Sequence, residues 1–293
     1  MAQMTETDAA SGRKFYLEEP DDLGPDEPVT FILNLHGGGS VGAWQRLYFP
    51  AQDYANQHRL VIATPSAATK EPARRWVGEA DDEHLQAIVN QVVERYGAGR
   101  IRAFWLAGHS QGGFTSHRLL NTPFFADRVD GWLSLSGGRV GAAQRAEGAG
   151  PPPRPGTATG QGMPMIVERP PIPDADFSHI YTTGEYEIAA LPETSPWAEK
   201  YGAGPRERRA DVVDTVGGQV HDTGREAYSS KQWGLRPGPG TAQVWVYPGG
   251  RDGRVVADIV RLNKGHTEGL EPKVVGEIIA LMVQEPGGKI RRM

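Results

Sequence analysis

Ile101-Arg102-Ala103-Phe104-Trp105-Leu106-Ala107-Gly108-His109-Ser110-Gln111-Gly112 is the stretch on which the reading of this chain turns. Its first seven residues form a strand-like run, and residues 113–120 just beyond it form a helix-like one. Strand, Gly-x-Ser-x-Gly and helix in that order predict a nucleophile elbow, a turn so tight that side chains at the flanking glycines collide with neighbouring backbone. The serine then stands exposed at the top of a sheet. Beside it lie helix N–H groups that lack intrahelical partners and can stabilise a developing oxyanion. The pattern alone is weak, and a second match, Gly38-Gly39-Ser40-Val41-Gly42, occurs upstream. Context separates the two. Ser110 leaves its strand with only Gly108 and His109 between, whereas Ser40 follows its strand only after His36-Gly37-Gly38-Gly39, the HGGG form of an oxyanion loop. Ser110 is the candidate nucleophile and Ser40 a loop hydroxyl.

Outward from the elbow, the pattern alternates. Val29–Leu35 is an apolar run broken only by Thr30 and Asn34, the mark of a strand buried on both faces. Residues 44–58 read as helix interrupted at Pro50, and 60–63 as a short buried strand. Residues 81–96 are the clearest helix, with Leu85, Ile88, Val89, Val92, Val93 and Tyr96 on one face and Gly97 as its stop. Residues 131–135 are a further strand, and 14–19 a short edge strand. This order predicts an α/β fold, a mostly parallel sheet flanked by helices. The rhythm fails over 137–173, where 8 Gly and 8 Pro fall in 37 residues, and again over 189–240. Both read as loop or lid insertions within one domain spanning 1–293, because strands at 177–183, 242–247 and 255–262 and a last helix from Pro272 resume the pattern.

The whole composition is globular: 293 residues, 38% hydrophobic and 23% charged. A net charge of −5 gives no basic footprint for nucleic acid or for an anionic membrane. No apolar run is long enough to span a bilayer. Residues 1–13 have neither a basic n-region nor an apolar h-region, so no signal peptide is expected in the sequence as given. With no cysteine, disulfides, thiolate nucleophiles and Cys–metal sites are excluded. Oligomeric state is open, a homodimer included.

A serine hydroxyl needs a base. Of the histidines, His179, His221 and His266 lie well downstream of Ser110. His266 sits in a turn between a predicted strand and the last helix, where a Ser–acid–His chain order places the base. The acid must follow a strand and reach that histidine. Glu187, four residues after the strand ending at Thr183, is preferred; Glu185 is its near rival, and Asp252 is more remote because only 14 residues separate it from His266. Trp197, Tyr201, Tyr228 and Trp233 in the second insertion read either as walls of a wide substrate cleft or as a satellite core under the loops.

Residues 34–39 (Asn-Leu-His-Gly-Gly-Gly), 108–112 (Gly-His-Ser-Gln-Gly) and 265–269 (Gly-His-Thr-Glu-Gly) together resemble the α/β-hydrolases grouped as polyhydroxybutyrate depolymerases and feruloyl or acetylxylan esterases. Bacterial poly(aspartic acid) hydrolases are similar too. The resemblance covers about residues 28–136 and 177–285. It departs at 184–187, where those families often carry Asp in a Gly-x-x-Asp turn and this chain has Gly-Glu-Tyr-Glu. It implies an ester or amide hydrolase using Ser110, His266 and an acid. The oxyanion would be held by the N–H groups of Gln111 and of Gly37 or Gly38. No metal or organic cofactor is called for. A polymeric substrate is the first expectation and a small ester, as for a feruloyl or acetyl esterase, the second. An extracellular or periplasmic location follows from the resemblance alone. A different class, a non-catalytic binding protein on the same fold, stays open if the triad is incomplete.

Overall fold

Apolar runs mark the strands buried on both faces at residues 29–35, 60–65 and 131–135, while the equally buried strand at 178–184 carries Ser, His and Thr. β1 (Ala2–Thr7), β2 (Lys14–Glu19) and β3 (Val29–Leu35) are followed by α1 (Gly42–Tyr48), a 3-10 turn at Ala51–Tyr54, α2 (Ala55–His58) and β4 (Leu60–Pro65). Then come α3 (Gly78–Tyr96), β5 (Ile101–His109), α4 (Gln111–Leu119), α5 (Pro123–Ala126) and β6 (Gly131–Leu135). Beyond these lie β7 (Gln144–Arg145), β8 (Ser178–Gly184), β9 (Ile188–Ala190), α6 (Pro196–Lys200), β10 (Glu207–Arg208) and β11 (Val212–Val213). β12 (Thr241–Val246), β13 (Val256–Arg261) and α7 (Pro272–Met282) close the chain. The structure, a computed structural model, describes residues 1–70, 73–140, 144–145, 172–219, 231–234 and 237–293. Most of the 137–173 insertion, His221 and Tyr228 lie outside them.

Among the described residues, eleven strands form one sheet in the order β1-β2-β4-β3-β5-β6-β8-β13-β12-β10, with β11 also on β12. The six strands from β4 to β13 run parallel. Every residue of β3, β4, β6, β8 and β13 is buried, as a parallel sheet covered on both faces requires. Alternate side chains feed two cores. Phe31, Leu33, Phe104 and Leu106 pack with Leu85, Ile88 and Val89 of α3. Ile32, Ile62, Trp105 and Ile259 pack with Val274, Val275, Ile278 and Ile279 of α7. No helix among the described residues is long and apolar enough to cross a membrane.

Two expectations need correcting at the margins. Residues 14–19 are not an edge, because β1 pairs outside them along its whole length. The 189–240 segment is not simply a lid: β10 and β11 extend the sheet by pairing with β12, and α6 packs into the core. The feature that places a site is the reversal of strand order around β3. Its successor β4 lies on one side and β5 on the other, so the loops leaving β3 and β5 diverge and open a crevice at the C-terminal edge.

Candidate active site

The elbow stands at that edge. Ser110 follows β5 and caps α4 with φ 51° and ψ −115°, a backbone that L residues rarely adopt. The flanking glycines make it possible: a Cβ on Gly108 would lie 2.3 Å from the Gly112 carbonyl carbon, and one on Gly112 2.4 Å from the Leu35 carbonyl oxygen. The Ser110 N–H donates to the Leu135 carbonyl at 2.8 Å, which ties the turn to the end of β6.

His266 and Glu187 meet the serine in a hydrogen-bonded line. Ser110 Oγ lies 2.7 Å from His266 Nε2, and His266 Nδ1 lies 2.6 Å from Glu187 Oε2. The other carboxylate oxygen, Oε1, accepts from Ser136 Oγ at 2.7 Å, the Gly184 N–H at 2.8 Å and Thr183 Oγ1 at 3.3 Å. Burial by itself pushes the Glu187 carboxyl up, but the charge of His266 and these donors outweigh it and hold the group below the ordinary glutamate value of 4.5. His266 is held as closely. Its carbonyl accepts from His109 Nε2 at 2.9 Å, its N–H donates to the Gln232 carbonyl at 3.0 Å, and the Trp233 ring lies 5.1 Å from its imidazole.

The glycine loop after β3 lies against the elbow: a Cβ on Gly37 would come 2.7 Å from His109 Nδ1 and 3.3 Å from Ser110 Cβ. His36 orients this loop. Its Nε2 accepts the Ala67 N–H at 3.0 Å, so Nδ1 carries the proton and donates to the Gly37 carbonyl at 2.7 Å. The Gly38 N–H lies in the same trans peptide plane, antiparallel to that carbonyl, and so points the other way. The Gln111 side chain closes the neighbouring wall, accepting the Trp76 N–H at 3.2 Å, while Trp76 Nε1 donates to the His36 carbonyl at 2.8 Å.

No family model matches the chain, and no curated protein sequence matches it. Among solved structures, acetyl xylan esterase from Aspergillus awamori superimposes with a TM-score of 0.54 at 11% identity, over 96% of this chain and 100% of that one. The fold is that of the α/β-hydrolases. A feruloyl esterase module from Clostridium thermocellum matches at a TM-score of 0.41 and 14% identity, over 63% of this chain and 67% of that one. A fluorophosphonate-binding serine hydrolase of Staphylococcus aureus matches at 0.39 and 16%, over 63% and 78%.

Within this α/β-hydrolase fold, the rival acids lie elsewhere. Glu185 accepts the Asn263 N–H at 2.8 Å on the surface, and Asp252 sits in an exposed 3-10 turn beside Arg251. The aromatic cleft needs correction. Trp197 is 1% exposed, stacks on Phe177 at 4.3 Å and donates Nε1 to the Phe177 carbonyl at 2.6 Å. Tyr201, 2% exposed, brackets the same residue with its hydroxyl. Both are core, because an indole and a phenol in a tight bundle of rings exclude water from α6 and β8. Of the three described aromatics in that set, Trp233 is the one that borders the site, 5.1 Å from the His266 ring. A depression of about 630 Å³ beside Asp127, Asp174, Asp176 and Lys289 lies at the opposite, N-terminal edge of the parallel strands. Its described lining holds neither a serine nor a histidine. Among the described residues no group of three His, Asp or Glu side chains could hold a metal ion. Ser136 and His109 are contacts that no local pattern signals.

Proposed function

We propose that the chain is a serine hydrolase of carboxylic esters, with Ser110 as nucleophile, His266 as base and Glu187 as acid. The observation that carries this is the continuous line Ser110 Oγ–His266 Nε2 at 2.7 Å and His266 Nδ1–Glu187 Oε2 at 2.6 Å. In this reading Ser110 attacks the ester carbonyl while His266 Nε2 takes its proton, and Glu187 stabilises the imidazolium and fixes its tautomer. The oxyanion turns toward the N–H groups of Gln111 and of Gly37 or Gly38. His266 then protonates the leaving alcohol, and water, deprotonated by the same nitrogen, releases the acid and restores Ser110. A small or mid-sized ester is the favoured substrate. The burial of Trp197 and Tyr201 removes two of the walls that a polymer-binding cleft would need. Acetyl esters, the class named for the Aspergillus awamori enzyme, head the panel to be tested, with butyryl and feruloyl esters, polyhydroxybutyrate and poly(aspartate) beside them.

The test combines labelling and kinetics. A fluorophosphonate should label the protein stoichiometrically, and Ser110→Ala should abolish labelling; an unlabelled wild type would leave a binding protein on a hydrolase fold. Because a triad acts as a unit, Ser110→Ala and His266→Ala should each cost at least about 10³-fold in kcat and the double variant little more. Ser40→Ala should fall far short of that.

A further inference from the structure

We propose that Ser136 is a positioning residue, its hydroxyl holding the Glu187 carboxylate in the one orientation that reaches His266. The inference rests on Glu187 being the acid of the mechanism proposed above. Two neighbouring strands end alike. β5 runs into Ser110 at φ 51°, and β6 runs into Ser136 at φ 53°, each in the left-handed region that favours glycine. Each serine N–H donates to a carbonyl of the next strand, Ser110 to Leu135 at 2.8 Å and Ser136 to Thr182 at 2.7 Å. The two turns therefore present two hydroxyls at opposite ends of one hydrogen-bonded line, Ser110 on the imidazole and Ser136 on the carboxylate.

At a positive φ a serine costs free energy that glycine does not, and an outlier of this kind asks what the side chain supplies. At Ser136 the answer is a buried hydroxyl 2.7 Å from Glu187 Oε1. The Gly184 N–H on the same oxygen belongs to the 3-10 turn that carries Glu187, and it moves with that turn. Thr183 is farther, at 3.3 Å, and its hydroxyl also faces the Gly184 carbonyl. Ser136 is the anchor from outside the turn. It fixes the carboxylate to the end of β6, to which the elbow is also tied. With Oε1 so engaged, Oε2 is left to His266. The titratable groups facing this carboxylate besides His266 are the phenols of Tyr48, which also hydrogen-bonds Ser136, and Tyr181, both pushed up and kept neutral by burial, with Arg261 and Glu271 beyond Tyr48 and Asp258 and Arg139 beyond Tyr181. None replaces the serine as a donor to Oε1 among the described contacts.

The experiment compares Ser136→Ala and Ser136→Gly, alone and with Glu187→Gln, on a chromogenic ester across pH, with melting temperature read in parallel. Glycine relieves the backbone and removes the hydroxyl, so it separates the two roles. Both single variants should lose about tenfold in kcat, the scale of one hydrogen bond to a charged group, with KM little changed. The acid limb of kcat/KM should move to lower pH, because a carboxylate no longer held onto His266 stabilises the imidazolium less. In the Glu187→Gln background the same substitutions should cost no more than about twofold, since the hydroxyl acts through the carboxylate. A glycine variant with wild-type kcat and pH profile overturns the proposal, as does a loss that persists undiminished beside Glu187→Gln. A fully active Glu187→Gln is a separate outcome: it overturns the acid assignment itself, whatever the Ser136 variants do.

Discussion

At the scale of single residues, two glutamates two positions apart have opposite fates. Glu187 turns inward onto His266 while Glu185 turns outward onto the Asn263 N–H. Glu187→Gln should therefore depress kcat strongly, while Glu185→Gln and Asp252→Asn leave it close to wild type. A dead Glu185→Gln beside an active Glu187→Gln would refute that assignment. The pH dependence follows from the direction of the shift. Because the folded Glu187 carboxyl lies below the ordinary 4.5, its ionisation stabilises the fold at all pH above that value. That contribution is lost as pH falls through the folded pKa. The stability cost of Glu187→Gln should be largest near neutrality and shrink below about pH 4, measured by denaturant unfolding at several pH values. Ser110 and His266 are legible in sequence because each sits in a short motif beside a recognisable strand, and Glu187 by its distance from the end of one. Ser136 is not. It lies 51 positions from the carboxylate it touches, and nothing in Leu135-Ser136-Gly137-Gly138 shows that the end of β6 faces the acid.

Elements explain how 79 positions of separation between Glu187 and His266 become 2.6 Å. β8 and β13 are parallel neighbours, so the turns at their ends lie side by side. They touch at Gly184, where a Cβ would lie 2.3 Å from the Lys264 carbonyl oxygen. Gly184→Ala should therefore push the acid turn away from the histidine loop and lower both kcat and melting temperature. The histidine loop has its own brace. Arg261, 2% exposed, donates to the Glu268 and Gly269 carbonyls at 2.8 Å each and to Glu271 at 2.9 Å, and Lys264 joins Glu271 at 3.2 Å. Burial would raise the Glu271 carboxyl, but Arg261 overrides it and keeps the group low, so this pair is charged in the fold. Removing Arg261 leaves the buried Glu271 charge with Lys264 as its one remaining ion-pair partner among the described residues. Arg261→Met should cost about 3–5 kcal/mol in denaturant unfolding, and adding Glu271→Leu should restore part of it. Most of the parallel strands are legible because burial on both faces writes an apolar run, although β8 is buried with Ser, His and Thr in it. The edge pairs are not: β10 is Glu207–Arg208, two exposed polar residues whose pairing depends on backbone alone.

For the whole molecule, the question is which long-loop aromatics serve the fold and which serve the substrate. Composition treats Trp197 and Trp233 alike; topology separates them. Trp197 sits on α6 at the N-terminal end of β8, on the α3 side of the sheet, in one packed group with Phe177, Trp132 and Tyr201. Trp233 sits at the opposite end of the strands, in a segment bound to the histidine loop by the His266 N–H to the Gln232 carbonyl and the Thr267 N–H to the Trp233 carbonyl. Trp197→Ala leaves a cavity the size of an indole, so it should cost about 3–5 kcal/mol of stability and lower activity only as the folded fraction falls. Trp233→Ala should do the reverse. Trp233 is 9% exposed, its ring lies tilted 5.1 Å from the His266 imidazole, and it belongs to neither main core, so its loss exposes that imidazole to water more than it opens the core. The expected result is a fall in kcat/KM toward every ester tested, with a melting temperature close to wild type. If Trp233 were instead one wall of a groove for long chains, alanine would spare a p-nitrophenyl acetate assay and weaken only action on a polymer. Parallel rates for the acetate ester and for polyhydroxybutyrate on the two variants decide between these. A polymer-only defect in Trp233→Ala would restore the depolymerase reading that the burial of Trp197 and Tyr201 argues against.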